Sequence, residues 1–468
     1  MKKPNVIFFM VDALRPDKLG CYGYGKNTSP NIDLLAKQGV LCEKTFSTFN
    51  VSHRSLLSIL SGRHVLAQEF SSYHTNKEMK TFSDSGGMFL QHILKKNGYK
   101  TYCLKKMFGW QGNGFDYYFK ENIQENQKKW KLIGYLKKFK FLYKRLEYLF
   151  QYFAPKQIAE RLRAISISET ITDKAINIIN RNKTDNFFLW IDYKDTHRPY
   201  QSPKKFAKKF PTEKGTKKFL DVISNKGFSE DMINSFRNWF SGETLGDIVA
   251  KYDRAVAYTD YFVGKVIMEL KEKGILENTI IFLFADHGES LTENEIYFTH
   301  EGLYDVSHHV PLIINGKDIP KNTRLKCLVQ LEDIVPTVLD LLKINYNPFM
   351  FDGESLLPVI HEKKKKIRDA IFMEEQNNNI KRRAIRTEKY KYVESPEKEY
   401  TLCTSCNSTH GDIISLFDLE KDSGENTNIA KKNVKLLIEM KNKLDKTIKD
   451  FNTINEKRKI QLTLSKLK

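Results

Sequence analysis

Two stretches decide the fold: Asn5-Val-Ile-Phe-Phe-Met-Val-Asp12 near the start and Thr279-Ile-Ile-Phe-Leu-Phe-Ala-Asp286-His287-Gly288 past the middle. Each is a continuous apolar run that ends abruptly in an aspartate. A strand buried on both faces has no polar side to alternate with, so it reads this way. Phe187 to Ile191 and Val310 to Ile314 read as two more such strands. Between them lie helical signals. Ser29-Pro30-Asn31 opens a helix over Ile32 to Gln38, and Tyr252 to Lys273 is amphipathic and closed by Gly274. Strands alternating with helices predict an α/β fold with a doubly wound, mostly parallel sheet. Ligands in such sheets bind beyond the carboxyl ends of the strands, where Asp12 and Asp286-His287 stand.

Past about residue 365 the rhythm changes. Ala370 to Met373, Arg383 to Arg386, Lys391 to Val393 and Ser415 to Leu419 read as short strands, followed by a basic helix over Lys432 to Phe451. This predicts a catalytic domain over 1–365, a small α+β subdomain over 366–455 and a frayed tail over 456–468. An insertion at about 121–165 stands apart. Within it, residues 128–162 mix Lys and Arg with aromatics at helical spacing. They are expected to form an amphipathic cap packed on the domain, with peripheral contact to an anionic membrane or polymer as the other reading.

The chain has 468 residues and a net charge of +20. That balance suits a soluble lysine-rich surface, or attraction to an anionic substrate. No nucleic-acid module is apparent, so nucleic acid is not expected as a partner. Six cysteines make no disulfide framework, and the lone Cys403/Cys406 pair has no second pair to complete a zinc site. The first apolar run is short and has no small-residue cleavage site, and no run of about 20 apolar residues exists to span a bilayer. A cytoplasmic location is the resulting expectation.

Carboxylates at strand ends are natural ligands for a hard divalent cation. The wider pattern makes this specific. Asp12-Ala-Leu-Arg-Pro-Asp-Lys-Leu-Gly-Cys-Tyr-Gly-Tyr24, Thr28-Ser-Pro-Asn-Ile-Asp-Leu-Leu-Ala36, Phe284-Ala-Asp286-His287-Gly288-Glu289 and His300-Glu-Gly-Leu-Tyr-Asp305 occur in that order. His309-Val-Pro-Leu-Ile313, Asp333-Ile-Val-Pro-Thr337 and Arg383-Ala-Ile-Arg386 continue it. Over nearly the whole chain, apart from the 121–165 and 204–245 insertions, this series resembles the sulfatase family of the alkaline-phosphatase-like superfamily. The resemblance implies a metal-dependent hydrolase of sulfate esters of a carbohydrate or other small anionic substrate. Asp12, Asp286 and His287 would be its metal ligands. It implies one divalent ion, Ca²⁺ first. His287 would also suit Mn²⁺, and Mg²⁺ is a further candidate.

The family nucleophile lies in a Cys/Ser-x-Pro-Ser-Arg segment that leads into Leu-Thr-Gly-Arg. Here Leu60-Ser61-Gly62-Arg63 is the anchor, and counting back without a gap puts Ser52 at the nucleophile. A serine before an apolar run is also a common helix N-cap, and the two roles are compatible. The modification of this residue to formylglycine favours Pro or Ala two residues on and Arg four residues on. This chain has Arg54 and Leu56 there. Ser52 is therefore expected to stay a plain serine, which pulls the chemistry toward phosphodiester hydrolysis or phospho-group transfer on a glycan or lipid head group.

The remaining roles follow from the same resemblance. His197, in Asp195-Thr-His197-Arg-Pro-Tyr200, would contact the anion or leaving group. His300 stands where many members have lysine, and would act as general acid. Arg54 and Lys106 would bind the ester oxygens. Ala13 replaces the second aspartate of the usual pair, which leaves fewer protein ligands. That loss is the one feature favouring a rival of a different class, an inactive protein that binds an anionic polymer.

Overall fold

Every residue of Asn5–Val11 (β1) is buried, as its unbroken apolar run requires. A computed structural model of the chain describes residues 3–64, 82, 87–104, 112–119, 167–182, 186–212, 215–224, 226–377, 380–397, 401–403 and 407–466. Lys106, Cys406 and the basic stretch 128–162 lie outside the described residues. Beside β1 run Phe187–Tyr193 (β5) and Thr279–Phe284 (β6), both parallel to it and buried along their whole length. The remaining strands are Val40–Phe46 (β2), Lys100–Leu104 (β3), Tyr117–Tyr118 (β4), His309–Asn315 (β7) and Thr323–Gln330 (β8). The eight run in the order β4-β3-β5-β1-β6-β7-β2-β8. β7 is antiparallel to both neighbours, and every other pairing is parallel. The expected doubly wound, mostly parallel sheet is the observed one.

Helices cover both faces. Pro30–Lys37 (α1), Ser52–Ser61 (α2), Leu90–Lys96 (α3) and Ile167–Arg181 (α4) are joined by the 28-residue helix Leu245–Glu272 (α5) and by Ile334–Leu341 (α6). The α5 stripe Tyr252, Val256, Val263, Val266 and Leu270 is buried against the sheet. The helix begins seven residues before the Tyr252 start read from the sequence. Thr244 accepts from the Asp247 N–H while Asp247 accepts from the Thr244 N–H, a reciprocal cap that starts the helix ahead of Leu245 and the buried Ile248. Among the described residues no helix is long and apolar enough to cross a membrane.

The C-terminal part forms an antiparallel sheet of Ala370–Asn377 (β9), Ile380–Thr387 (β10), Tyr390–Glu394 (β11) and Ile414–Asp418 (β12), in the order β12-β11-β10-β9. It is tied to the first domain by charge at His64, just past the end of α2. The imidazole is buried, 3.9 Å from Glu332 and 3.8 Å from Glu374 on β9, and stacks on Phe451. Burial alone would lower its pKa, but the two carboxylates outweigh burial and push it up to about 9.

The chain end departs from expectation. The last helix, Val434–Lys466 (α7), runs on past Asn455 instead of fraying. Arg458 is 1% exposed. It donates to the carbonyls of Phe349 (2.7 Å) and Phe351 (2.8 Å) and pairs with Asp352 at 2.8 Å. A lysine-rich helix with a thin apolar face hides this anchor in sequence, because only the tertiary arrangement buries the arginine.

Two outcomes are expected. Arg458→Met should cost about 3 kcal/mol in urea unfolding, since it strands a buried carboxylate and two carbonyls. An unchanged midpoint would show that the helix end contributes nothing. His64 has a folded pKa above the unfolded value, so its stabilisation is full below about 6.5 and is lost as pH rises through about 9. In His64→Gln that part of the decline in unfolding free energy should vanish.

Candidate metal centre and active site

The ends of three adjacent parallel strands each carry a buried carboxylate. Asp192 closes β5, Asp12 follows β1 and Asp286 follows β6. All three are at most 1% exposed. One ligand atom each from Asp12, Asp286 and His287 lies within 4.8 Å of the others. His287 Nε2 is 3.6 Å from Asp12 Oδ1 and 3.8 Å from Asp286 Oδ2. His287 Nδ1 lies 2.8 Å from the Gly288 carbonyl, so that nitrogen carries the proton and Nε2 keeps its lone pair toward the carboxylates. Asp286 Oδ1 accepts from the N–H groups of Ala13 (3.3 Å) and His287 (3.1 Å). Its Oδ2 is buried with no hydrogen-bond partner among the described residues. Such an orphaned oxygen beside a second carboxylate and an imidazole lone pair fits a divalent cation.

Ala13 takes φ +59°, a left-handed conformation uncommon for alanine. Asp286 fixes its N–H, and the Tyr252 hydroxyl donates to its carbonyl at 2.7 Å. These bonds hold the strained turn that aims Asp12 at the centre.

Ser52 reaches the same point from α2. It is the first residue of that helix, and Val51, the capping residue, makes no side-chain cap bond. Its Oγ lies 3.2 Å from His287 Nε2. Ser55 Oγ donates to the Asp286 carbonyl at 2.6 Å, and Asn50 Nδ2 donates to the His300 carbonyl at 2.8 Å. These bonds pin the helix start against the strand end. A nucleophile and an anion placed there meet the positive end of the helix dipole.

Three histidines line up beyond the serine. The His287 and His300 rings are 4.3 Å apart, and His197 is 6.1 Å from His300. His300 Nδ1 faces Glu289 Oε2 at 3.6 Å, and the Tyr200 hydroxyl donates to Glu289 Oε1 at 3.1 Å. Burial alone would raise the Glu289 pKa, but His300 and Arg198 hold it below the usual carboxylate range. Glu289 thus steadies His300 through its Nδ1 side.

A family model described as "Sulfatase" matches residues 4–344. The chain belongs to the sulfatase family. A second model, "N-sulphoglucosamine sulphohydrolase, C-terminal", matches residues 294–451 of this sulfatase. It is 25% identical to an arylsulfatase of Clostridium perfringens over 91% of the chain and 90% of that protein. It is 29% identical to arylsulfatase K of Bos taurus, with 60% of the chain spanning only 54% of that relative. Among solved structures it superposes with TM-score 0.68 on one in complex with its substrate D-glucosamine-2-N,6-O-disulfate (18% identical, covering 97% of this chain and 99% of that one). A phosphonate monoester hydrolase of Agrobacterium radiobacter gives 0.66 (18% identical, covering 96% of each chain).

The structure thus brings together Asp12, Asp286, His287, Ser52, His300 and His197. Arg54 is buried with its guanidinium 5.8 Å from the Phe49 ring centroid. On a helix it stands about 200° around from Ser52. Lys106 lies outside the described residues. Sequence reasoning passed over Asp192, the positioning contacts of Glu289, and Lys194, whose Nζ is 3.3 Å from Asp12 Oδ2. The available signal was positional: Asp192 and Lys194 end a buried strand as Asp12 does.

Metal loading gives the test. Chelator-treated sulfatase should gain thermal stability on addition of Ca²⁺ or Mn²⁺, through linkage of binding to folding. In Asp286→Asn that gain should shrink to near zero. An equal gain in both proteins would place the cation elsewhere.

Proposed function

We propose that this sulfatase hydrolyses sulfate esters of a carbohydrate or another small anionic compound, with Ser52 as nucleophile beside a divalent cation held by Asp12, Asp286 and His287. One observation carries the reading: Ser52 Oγ sits 3.2 Å from His287 Nε2, against the only metal-ligand cluster among the described residues. A bound cation, Ca²⁺ by family resemblance and otherwise Mn²⁺ or Mg²⁺, would supply positive charge against the oxygens of the transferring group. Ser52 Oγ, losing its proton to solvent, attacks sulfur as the bond from sulfur to the substrate's alcohol oxygen breaks. His300, held by Glu289, gives its proton to the departing oxygen, with His197 as the second candidate donor. Water then attacks the sulfur of the serine ester, His300 takes up the water's proton, and Ser52 leaves and is reprotonated from solvent. The names of the relatives, arylsulfatase and iduronate 2-sulfatase, support sulfate as the group transferred.

A second reading is phosphodiester hydrolysis or phospho-group transfer at the same serine. Arg54 and Leu56, at positions where the formylglycine modification favours other residues, support it. So does the fold shared with phosphonate monoester hydrolases. An unmodified serine ester of phosphate is readily attacked at phosphorus, whereas a serine sulfate lacks the elimination route that formylglycine offers.

The decisive experiment is a panel of aryl sulfate, phosphate monoester and phosphodiester, each with Ca²⁺, Mg²⁺ and Mn²⁺. Sulfate-ester turnover that falls at least about 10³-fold in Ser52→Ala supports the first reading. Turnover of phosphodiesters alone transfers the site to the second. Intact-peptide mass spectrometry of residues 47–63 should show an ordinary serine, and the aldehyde mass would overturn that expectation.

A further inference from the structure

Lys194 stands out because it is a cation inside a cluster that needs one. The register pairs Met10 with Asp192 and Val11 with Tyr193, and the Asp12 N–H donates to the Tyr193 carbonyl at 2.9 Å. The next step along β1 and β5 sets Lys194 beside Asp12, on the face that also carries Asp192. Its Nζ lies 3.3 Å from Asp12 Oδ2, while Asp12 Oδ1 is the oxygen turned toward His287 Nε2 at 3.6 Å. The lysine thus occupies one oxygen of Asp12 and leaves the other for the centre. Its side chain is 31% exposed. Across the turn is Ala13, which contributes no carboxylate.

We propose that Lys194 is the built-in counter-charge of this metal centre: it offsets the charge of Asp12, weakens the hold on the divalent cation and lets the loaded centre accept an anion. Asp12, Asp192 and Asp286 are three carboxylates at the ends of adjacent strands. A divalent cation between Asp12 and Asp286 balances those two carboxylates, and the Lys194 charge then tips the loaded centre toward positive. Without it, the loaded centre would carry one positive charge fewer and hold an anionic ester less well. Lys194 acts through Asp12 and the field of the site, so it is a positioning residue. The inference rests on the metal reading above but not on which ester is cleaved.

The test uses full-length, metal-stripped protein and three variants, Lys194→Met, Lys194→Gln and Lys194→Arg. Each is titrated by calorimetry with Ca²⁺ and with Mn²⁺, and then, at saturating metal, with inorganic sulfate. In Lys194→Met the divalent cation should bind about tenfold more tightly, and sulfate about tenfold more weakly. Lys194→Arg should restore both toward wild type. Local damage would weaken both ligands together, so the opposed signs mark a charge effect. Lys194→Gln removes the charge while keeping a hydrogen bond to Asp12, and it carries the test if the Met variant does not fold. Unchanged affinities, losses in the same direction, or a wild-type protein that binds neither cation would overturn the inference. If the opposed shifts appear in a protein that hydrolyses no sulfate ester, the inference stands and only the proposed substrate falls.

Discussion

Like charges gathered in a dry place set the terms for this molecule. Adjacent parallel strands end side by side, so Asp12 and Asp286 arrive at one spot, with Asp192 on the neighbouring strand, all with almost no exposure to water. Carboxylates so placed repel one another, and no solvent screens them. Each neighbouring feature answers that repulsion. Backbone N–H groups of Ala13 and His287 satisfy one oxygen of Asp286, and the Lys194 ammonium sits on Asp12. What is left is one orphaned oxygen, one oxygen facing an imidazole, and the imidazole lone pair. That set of donors suits a divalent cation.

The same constraint explains why the serine is delivered by a helix and not by a strand. An anion brought next to a carboxylate cluster needs positive potential from another direction. The open end of α2 supplies it, and Ser52 is its first residue. Ser55 and Asn50 hold that end through the carbonyls of Asp286 and His300. The candidate nucleophile, a candidate ligand and the candidate acid are thus connected through backbone groups, so a shift in any one segment displaces the others.

The second sheet belongs to this arrangement as well. His64 leaves the far end of α2 as a buried cation between Glu332 and Glu374, one on each side of the domain junction. Asn50 also donates to Glu375 on β9 at 2.9 Å. Both ends of the helix that carries Ser52 therefore lean on the C-terminal sheet. The subdomain works as a buttress, which gives a physical reason for a continuous chain in place of two independent units.

Much of this was legible in the sequence because it rests on short-range physics. Unbroken apolar runs announce strands buried on both faces, and an aspartate that ends such a run marks the carboxyl edge of the sheet. Asp12, Asp286, His287 and Ser52 were singled out in this way, the serine by counting from Leu60-Ser61-Gly62-Arg63, and the fold sets them near one another. Other features depend on partners far away in the chain. Lys194 became part of the site only when strand register set it beside Asp12, 182 residues earlier. Glu289 gained meaning from His300 and Tyr200, and Arg458 became a buried anchor only where α7 crosses the Phe349 and Phe351 carbonyls. The start of α5 was legible too, in the Thr244 and Asp247 cap and in Leu245, Ile248 and Tyr252 at helical spacing. Periodicity and strand-end chemistry are local properties written in consecutive residues. The pairing of charges across strands is settled by register and packing, which no single segment encodes.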